Sequence, residues 1–465
     1  MANHPDFSDD ISQFKFNLFV MSNQDYSRRN FLKQNTLVGL GLMGSTALAG
    51  SAFPAVALAS SANDLKKITG LNLRKLREEY KEALLGKFIP NMGKYVVDHE
   101  FGGFMCSVDT LTRKLVNTTK RAWFEGRGIW MYSFLYNNLD KDPAYLEIAR
   151  KSTDFILKRL PADGTYYISS FSKEGEPIGD TEGDIYGNLF VAEGLAEYAK
   201  ASAESNYFDM AIEIVLKAVK RYDRPEFTYI YKAENRIAGP RILGHWMILL
   251  SVCTQMLRQR SVKAIKALAD RCVDAIMNYH LNKEYRLLNE ALAHDLSPLA
   301  DPVSSQYGDV GHGCETLAFV MNYAVLIKDA DLFQKSSKEF KRHVDATWDD
   351  VYGGFYHELT HVNNNTWTLN KLRWVHEEIL IGAMILIEHT GDEWAINCYA
   401  KTEAYIRKNY VRQEYAFVID SGDRKMEKHT HVRAEHYHYP RQLMVGILAI
   451  DRIISRGEKP SGLFS

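Results

Sequence analysis

Apolar positions recur along this chain with two periods. Leu146, Ala149, Thr153, Ile156, Leu157 and Leu160 fall three or four residues apart, the stripe of an amphipathic helix, whereas Phe104, Cys106 and Val108 alternate as one face of a strand does. Carried along the whole chain, the helical period predicts twelve helices, over 72–95, 121–139, 143–160, 181–204, 206–223, 240–259, 261–280, 308–329, 332–348, 369–391, 392–411 and 434–456. Segments rich in Gly, Asn and aromatic residues predict β-hairpins between helix pairs, at 102–119, 166–179, 227–239, 285–294, 353–368 and 415–429.

The helix after each hairpin starts near 121, 181, 240, 308, 369 and 434, a repeat of about 59 to 68 residues. One such helix pair cannot bury its own apolar face, but six pairs stacked in a ring can. A second trace of repetition is Asp98-x-x-Phe101-Gly102-Gly103-Phe104, which returns as Asp349-x-x-Tyr352-Gly353-Gly354-Phe355. The predicted fold class is all-α: one (α/α)6 barrel over 60–465, with short β-hairpins at one end. An open helical solenoid is the structural alternative, disfavoured by the hairpins and by the lack of a simple repeat consensus.

Residues 1–59 read as a leader. Ser27-Arg28-Arg29-Asn30-Phe31-Leu32-Lys33 precedes an apolar run at 36–49 and the small residues Ala57-Leu58-Ala59, the order of a twin-arginine signal with its cleavage site. The run is short and glycine-rich for a membrane span, so the expected outcome is release after cleavage into the periplasm or beyond, with the twin-arginine export machinery as the precursor's partner. Met21 is an alternative start to Met1. The net charge of -1 argues against nucleic acid as a partner. Cys106, Cys253, Cys272, Cys314 and Cys398 are odd in number and scattered, which predicts buried reduced thiols.

If the inner helices begin at the hairpin end, their first turns converge on one cavity. Trp123, Arg127 and Trp130 then share one helix face, and His312 and Glu315 share another. Lys371, Trp374 and Glu378 form a third row with His376 nearby, while His436, His438 and Arg441 open the last inner helix. Taken singly, such a histidine is a capping or core residue and such an aromatic row is packing. Together they require several helices to bury costly polar groups at one end of one barrel.

The motifs W-x-x-G-R-x-x-W-M-Y from Trp123, G-H-x-x-E from Gly311, K-x-x-W-x-H-x-E from Lys371 and [YF]-H-x-P-R from Tyr437 resemble, in order and spacing, the N-acylglucosamine 2-epimerase family, which includes cellobiose 2-epimerases. The resemblance spans roughly 90–460. It implies an (α/α)6 barrel and a site centred on Arg127, His312, Glu315 and His438, with His245 the nearest counterpart of a third family histidine. Glu125 stands where many relatives carry Gln or Asn, and Arg373 replaces one of a tryptophan pair, which leaves substrate identity open.

The expected reaction is C2 epimerisation of a reducing sugar, an N-acylglucosamine or a β-linked disaccharide, or the related aldose–ketose isomerisation. His312 and His438 would exchange the C2 proton, since imidazole titrates near working pH. Arg127 would hold the enediolate. Glu315 would orient His312 or help open the sugar ring. Lys371, His376, Glu378 and Arg441 would complete the polar shell, and Trp123, Trp130 and Trp374 would offer flat faces to the sugar. No metal or redox cofactor is needed, and a homodimer remains open. Three alternatives compete: a glycoside hydrolase using Asp184 with Glu315 or Glu378, a metal site from His429, His431, His436 and His438, and a non-catalytic sugar-binding protein.

Overall fold

The computed structural model describes residues 65–464, apart from 66, 163–164, 180–182 and 233–234; the leader predicted at 1–59 lies outside the described residues. Twelve helices of two turns or more are found among them. The outer set is α1 (Leu73–Lys81, continuing through π-turns at Glu82–Phe88 into Ile89–Tyr95), α3 (Pro143–Leu157), α5 (Ser205–Tyr222), α7 (Lys263–Asp274, continuing into Ala275–His280), α9 (Ala330–Thr347) and α11 (Glu393–Asn409). The inner set is α2 (Ala122–Asn138), α4 (Ile185–Ser202), α6 (Leu243–Gln259), α8 (Val310–Ile327), α10 (Arg373–Thr390) and α12 (His438–Ser455).

Each inner helix packs on the next, α12 returns to α2, and each outer helix from α3 to α11 lies on the inner helix before it, while α1 covers α12. The ring is closed, which excludes the open solenoid. Inner helices are buried round most of their circumference, whereas outer helices bury a single stripe. Sharp reversals make this possible. Ala203, Lys328 and Gly391 take left-handed backbone conformations (φ 61°, 59° and 65°) at the ends of α4, α8 and α10, so the following outer helix starts within three residues. Asp329 and Asp392 then cap α9 and α11 by accepting N–H bonds from Leu332 and Ala395. The five cysteines are free thiols, four of them buried.

The predicted starts at 181, 369 and 434 run up to four residues early, because the residues before the inner helices are spent on extended pairing or capping. Local hairpins form at three of the predicted segments, 227–239, 353–368 and 415–429, and a further pairing that the periodicity did not predict runs between loops. Lys120–Arg121 pairs with Ser170–Phe171, Arg241–Ile242 with Ala291–Leu292, Gly308–Asp309 with Glu358–His361, and Lys371–Leu372 with Ser421–Gly422. In each case the strand before one inner helix joins the loop before the next. The last loop returns to the first through Ala434 N to Cys106 O and Ala416 N to Thr110 O, at 2.9 and 2.8 Å. The loops therefore brace one another round the mouth of the barrel, where all six inner helices begin.

Candidate active site

Arg127, Glu315 and Glu378 each lie five residues after the first residue of their helices, Ala122, Val310 and Arg373, so the ring brings them to one depth. His438 is the first residue of α12 and Arg441 stands one turn later. Arg441 Nη2 donates to Glu315 Oε1 at 3.0 Å and also to Glu378 Oε1, and the ring nitrogen Nδ1 of His438 meets that same Glu378 oxygen at 2.7 Å. Acceptor atoms of Glu315, Glu378 and His438 lie within 4.8 Å of one another, a spacing compatible with a metal, but the cation that meets both carboxylates is Arg441.

His312 faces this cluster across Trp374, whose ring is 5.6 Å from the His312 ring and 5.5 Å from that of His438. Its Nδ1 is 3.0 Å from Glu290 Oε1 and 3.7 Å from Asp309 Oδ2, while Asp309 caps α8 by accepting the His312 backbone N–H. Neither Nε2, of His312 or of His438, makes a hydrogen bond among the described residues. The two rings are driven in opposite directions. Burial alone would lower His312, but Asp309 and Glu290 outweigh it and lift the imidazole to about 10. Burial dominates at His438 and pulls it to about 3 against the attraction of Glu435 and Glu315. At neutral pH His312 is charged and His438 is not.

Arg127 is boxed by aromatic faces, 4.8 Å from Trp123, 4.2 Å from Phe190 and 4.5 Å from Tyr437. Burial lowers its pKa, and its carboxylate partner is Glu435 at 3.8 Å. Glu435 also accepts the backbone N–H groups of Tyr437 and His438 at 2.8 and 3.0 Å and stands 3.7 Å from Arg373. Burial would raise this carboxyl, but His438, Arg373 and Arg127 hold it at about 2.

The family described as N-acylglucosamine 2-epimerase (GlcNAc 2-epimerase) matches residues 102–440. The chain belongs to this family. It is 24% identical to the N-acylglucosamine 2-epimerase of Mus musculus over 68% of this chain and 77% of that one. It is 23% identical to the cellobiose 2-epimerase of Dictyoglomus turgidum over 67% of this chain and 81% of that one. The fold is shared with the cellobiose 2-epimerase of Bacillus thermoamylovorans, at a TM-score of 0.71 and 16% identity over 81% of this chain and 99% of that structure.

Against this family frame the expected site residues fall into three groups. Arg127, His312, Glu315, Trp374, Glu378, His438 and Arg441 gather as described, with Trp123 beneath Arg127. Trp130 and His245 lie behind the wall: the Trp130 indole donates to Gln255 at 3.0 Å and packs on Tyr437, and His245 is fully buried among Tyr186, Tyr222 and Tyr229. Lys371 and His376 sit outside the site. Lys371 is fully buried against Asp349, 3.0 Å away, and His376 accepts the Phe355 N–H at 3.1 Å and stacks on Tyr405. Their side chains are consumed by the loop before α10.

Glu315 does not bond to His312; Arg441 engages it, and the carboxylate on His312 is Glu290. Sequence reasoning missed Glu290 and Glu435. Glu290 belongs to no motif and reaches His312 only because its loop is paired to the start of α6, and Glu435, which is not a residue type that signals a helix N-cap, is revealed only by its bonds to the Tyr437 and His438 N–H groups. The proposed histidine metal site is not assembled: His436 meets Cys106 Sγ at 3.3 Å and Phe124 O at 2.8 Å, and His429 meets Met426 O at 2.7 Å. The hydrolase reading is less supported, since Asp184 caps α4 through the Tyr186 N–H at 2.9 Å and Glu315 and Glu378 share Arg441.

Proposed function

We propose that this chain epimerises a reducing sugar at C2 through an enediolate, on a substrate of the N-acylglucosamine or cellobiose kind named for its relatives. The observation that carries the reading is the pair of histidine–carboxylate dyads, His312–Glu290 and His438–Glu378, set against one tryptophan; neighbouring carboxylates raise His312 while burial lowers His438, which suits one to give a proton and the other to take one. With Nδ1–H given to Glu378, the neutral His438 keeps a lone pair on Nε2 and removes the C2 proton from the open-chain sugar. The charged His312 returns a proton to the other face. Negative charge that builds on the sugar oxygens is met by Arg127, whose guanidinium is already desolvated and needs no reorganisation. After one turnover the positive charge sits on His438 and has to pass back to His312.

The test is incubation with a panel of reducing sugars, N-acylglucosamines and cellobiose among them, read by NMR for the C2 epimer. Ketose as the sole product would move the assignment to aldose–ketose isomerase; new reducing ends would move it to a hydrolase. Export belongs to the same proposal, supported by Arg28-Arg29, the apolar run and the cleavage site. Replacing both arginines by lysine is expected to strand the precursor in the cytoplasm, and unchanged export of that variant would remove this assignment.

A further inference from the structure

We infer that Glu290 is the positioning residue of His312: by accepting a hydrogen bond from Nδ1 it fixes the tautomer of the ring and presents Nε2 to the sugar. The reaction named for the pair rests on the epimerase reading; the contact itself does not.

Glu290 is held rigidly. It is 4% exposed and directly precedes the strand Ala291–Leu292, which pairs with Arg241–Ile242, and its own carbonyl accepts the N–H of Leu243, the first residue of α6, at 2.8 Å. The carboxylate is thus mounted on the start of one inner helix and aimed at the start of the next. Its second oxygen, Oε2, makes no hydrogen bond among the described residues, and burial raises the carboxyl's pKa while His312 and the nearby Gly244 N–H oppose that rise. A buried carboxylate is costly unless a cation stands beside it, and among the described residues no Lys or Arg pairs with it. The cation the geometry offers is the His312 imidazolium.

Other groups face His312. Asp309 lies 3.7 Å away on the cap of its own helix, and Glu315 stands one turn further on. His245 and Tyr186 approach from α6 and α4 around Gly244, and Trp374 covers the ring from α10. Among them Glu290 makes the hydrogen bond to the ring. Burial favours the neutral imidazole, and the Asp309 and Glu290 charges outweigh it. That same pull draws the proton back to His312 after each turnover, so Glu290 also resets the pair. No bond changes at Glu290 itself: the Nδ1 proton stays on the ring while Nε2 gives its proton to carbon and later recovers one.

Glu290→Gln keeps the size and one oxygen acceptor but removes the charge, and Glu290→Asp keeps the charge at shorter reach. The full chain, labelled with 15N-histidine and with the His312 signals assigned by difference from His312→Gln, is titrated without sugar. The expected result is a His312 titration at lower pH in Glu290→Gln and largely restored in Glu290→Asp. With an epimerised sugar, kcat falls in Glu290→Gln by up to about 10⁴-fold, the cost seen when the carboxylate that orients an acid–base histidine is lost. KM changes little, and the alkaline limb of kcat moves to lower pH. His312 titrating at the same pH in wild type and Glu290→Gln overturns the inference. If wild type epimerises no sugar on the panel, the functional reading fails while the titration still decides whether Glu290 governs His312.

Discussion

The mouth of the barrel holds two kinds of buried charge, and they differ in what they face. Lys120 binds Asp98 at 2.8 Å and the carbonyl of Gly102; much later in the chain Lys371 binds Asp349 at 3.0 Å and the carbonyl of Gly353. Both lysines are fully buried, each stands 22 residues after its aspartate, and each loop turns through two glycines with positive φ. The next element repeats as well: Glu125 accepts the Phe104 N–H and His376 accepts the Phe355 N–H, both across 21 residues at 3.1 Å. His312 and His245 also share a position, each the third residue of its inner helix behind a glycine, but His245 is fully buried among tyrosines whereas His312 meets Glu290. The lysine–aspartate anchors close their own loops, and His312 and His438 with their carboxylates face the site.

The comparison breaks first at the histidines. His438→Asn is expected to lower epimerisation by ~10²–10⁴-fold, the contribution of a positioned acid or base, with little change in thermal stability; His312→Ala should lower it as much and also lower the melting temperature, because Glu290 is left buried without its cation. Steady-state kinetics beside a melting curve checks both halves; normal turnover in either variant contradicts the assignment.

The anchors should behave in the opposite way. Lys120→Met leaves Asp98 buried without its cation and is expected to cost ~3–5 kcal/mol of stability. Lys371→Met should cost less, because Asp349 keeps Arg424 at 2.9 and 3.0 Å. Denaturant unfolding ranks the two, and kcat of the folded fraction should stay near wild type. A Lys371→Met protein of normal stability that has lost turnover would return Lys371 to the site.

Protonation gives a smaller effect with a definite sign. Activity needs His438 neutral and His312 charged, so kcat/KM of the free enzyme should be level between limbs near 3 and near 10. The raised pKa of His312 contributes stability that is complete below its unfolded value of about 6.5 and is lost as pH rises through about 10. The lowered pKa of Glu435 contributes stability present above about 4.3 and lost as pH falls through about 2. The gap in melting temperature between wild type and Glu435→Gln should therefore be constant at neutral pH and narrow in acid. A gap that widens below pH 4 contradicts the clamp assigned to Glu435.

Much of this sorting was legible in the chain. All twelve helices were placed within a few residues: the outer ones by the 3.6-residue period of a single buried stripe, the inner ones, apolar round most of their surface, as long apolar runs between turn segments. The motif containing Gly353 and Gly354 was visible beside its copy at Gly102 and Gly103, and the shared 22-residue spacing to Lys371 and Lys120 was a readable sign that Lys371 braces a loop. Cross-loop pairing was not legible. It is set by two-residue strands too short to carry alternation, and it is what delivers Glu290 to His312. The smallest predicted effect concerns Trp123, whose face lies under Arg127: Trp123→Ala should remove ~0.5–2 kcal/mol of cation–π support and raise KM severalfold, while kcat stays close to wild type.

The central claim is that His312 and His438 exchange the C2 proton from two faces of the sugar, and deuterium uptake tests it most directly. In heavy water the wild-type protein should place deuterium at C2 of the epimer it forms. His312→Ala, retaining the base His438, should still exchange C2–H of the starting sugar while forming almost no epimer. Epimer formed by wild type without deuterium at C2, or loss of exchange and epimerisation to the same degree in both single variants, would contradict the two-histidine account.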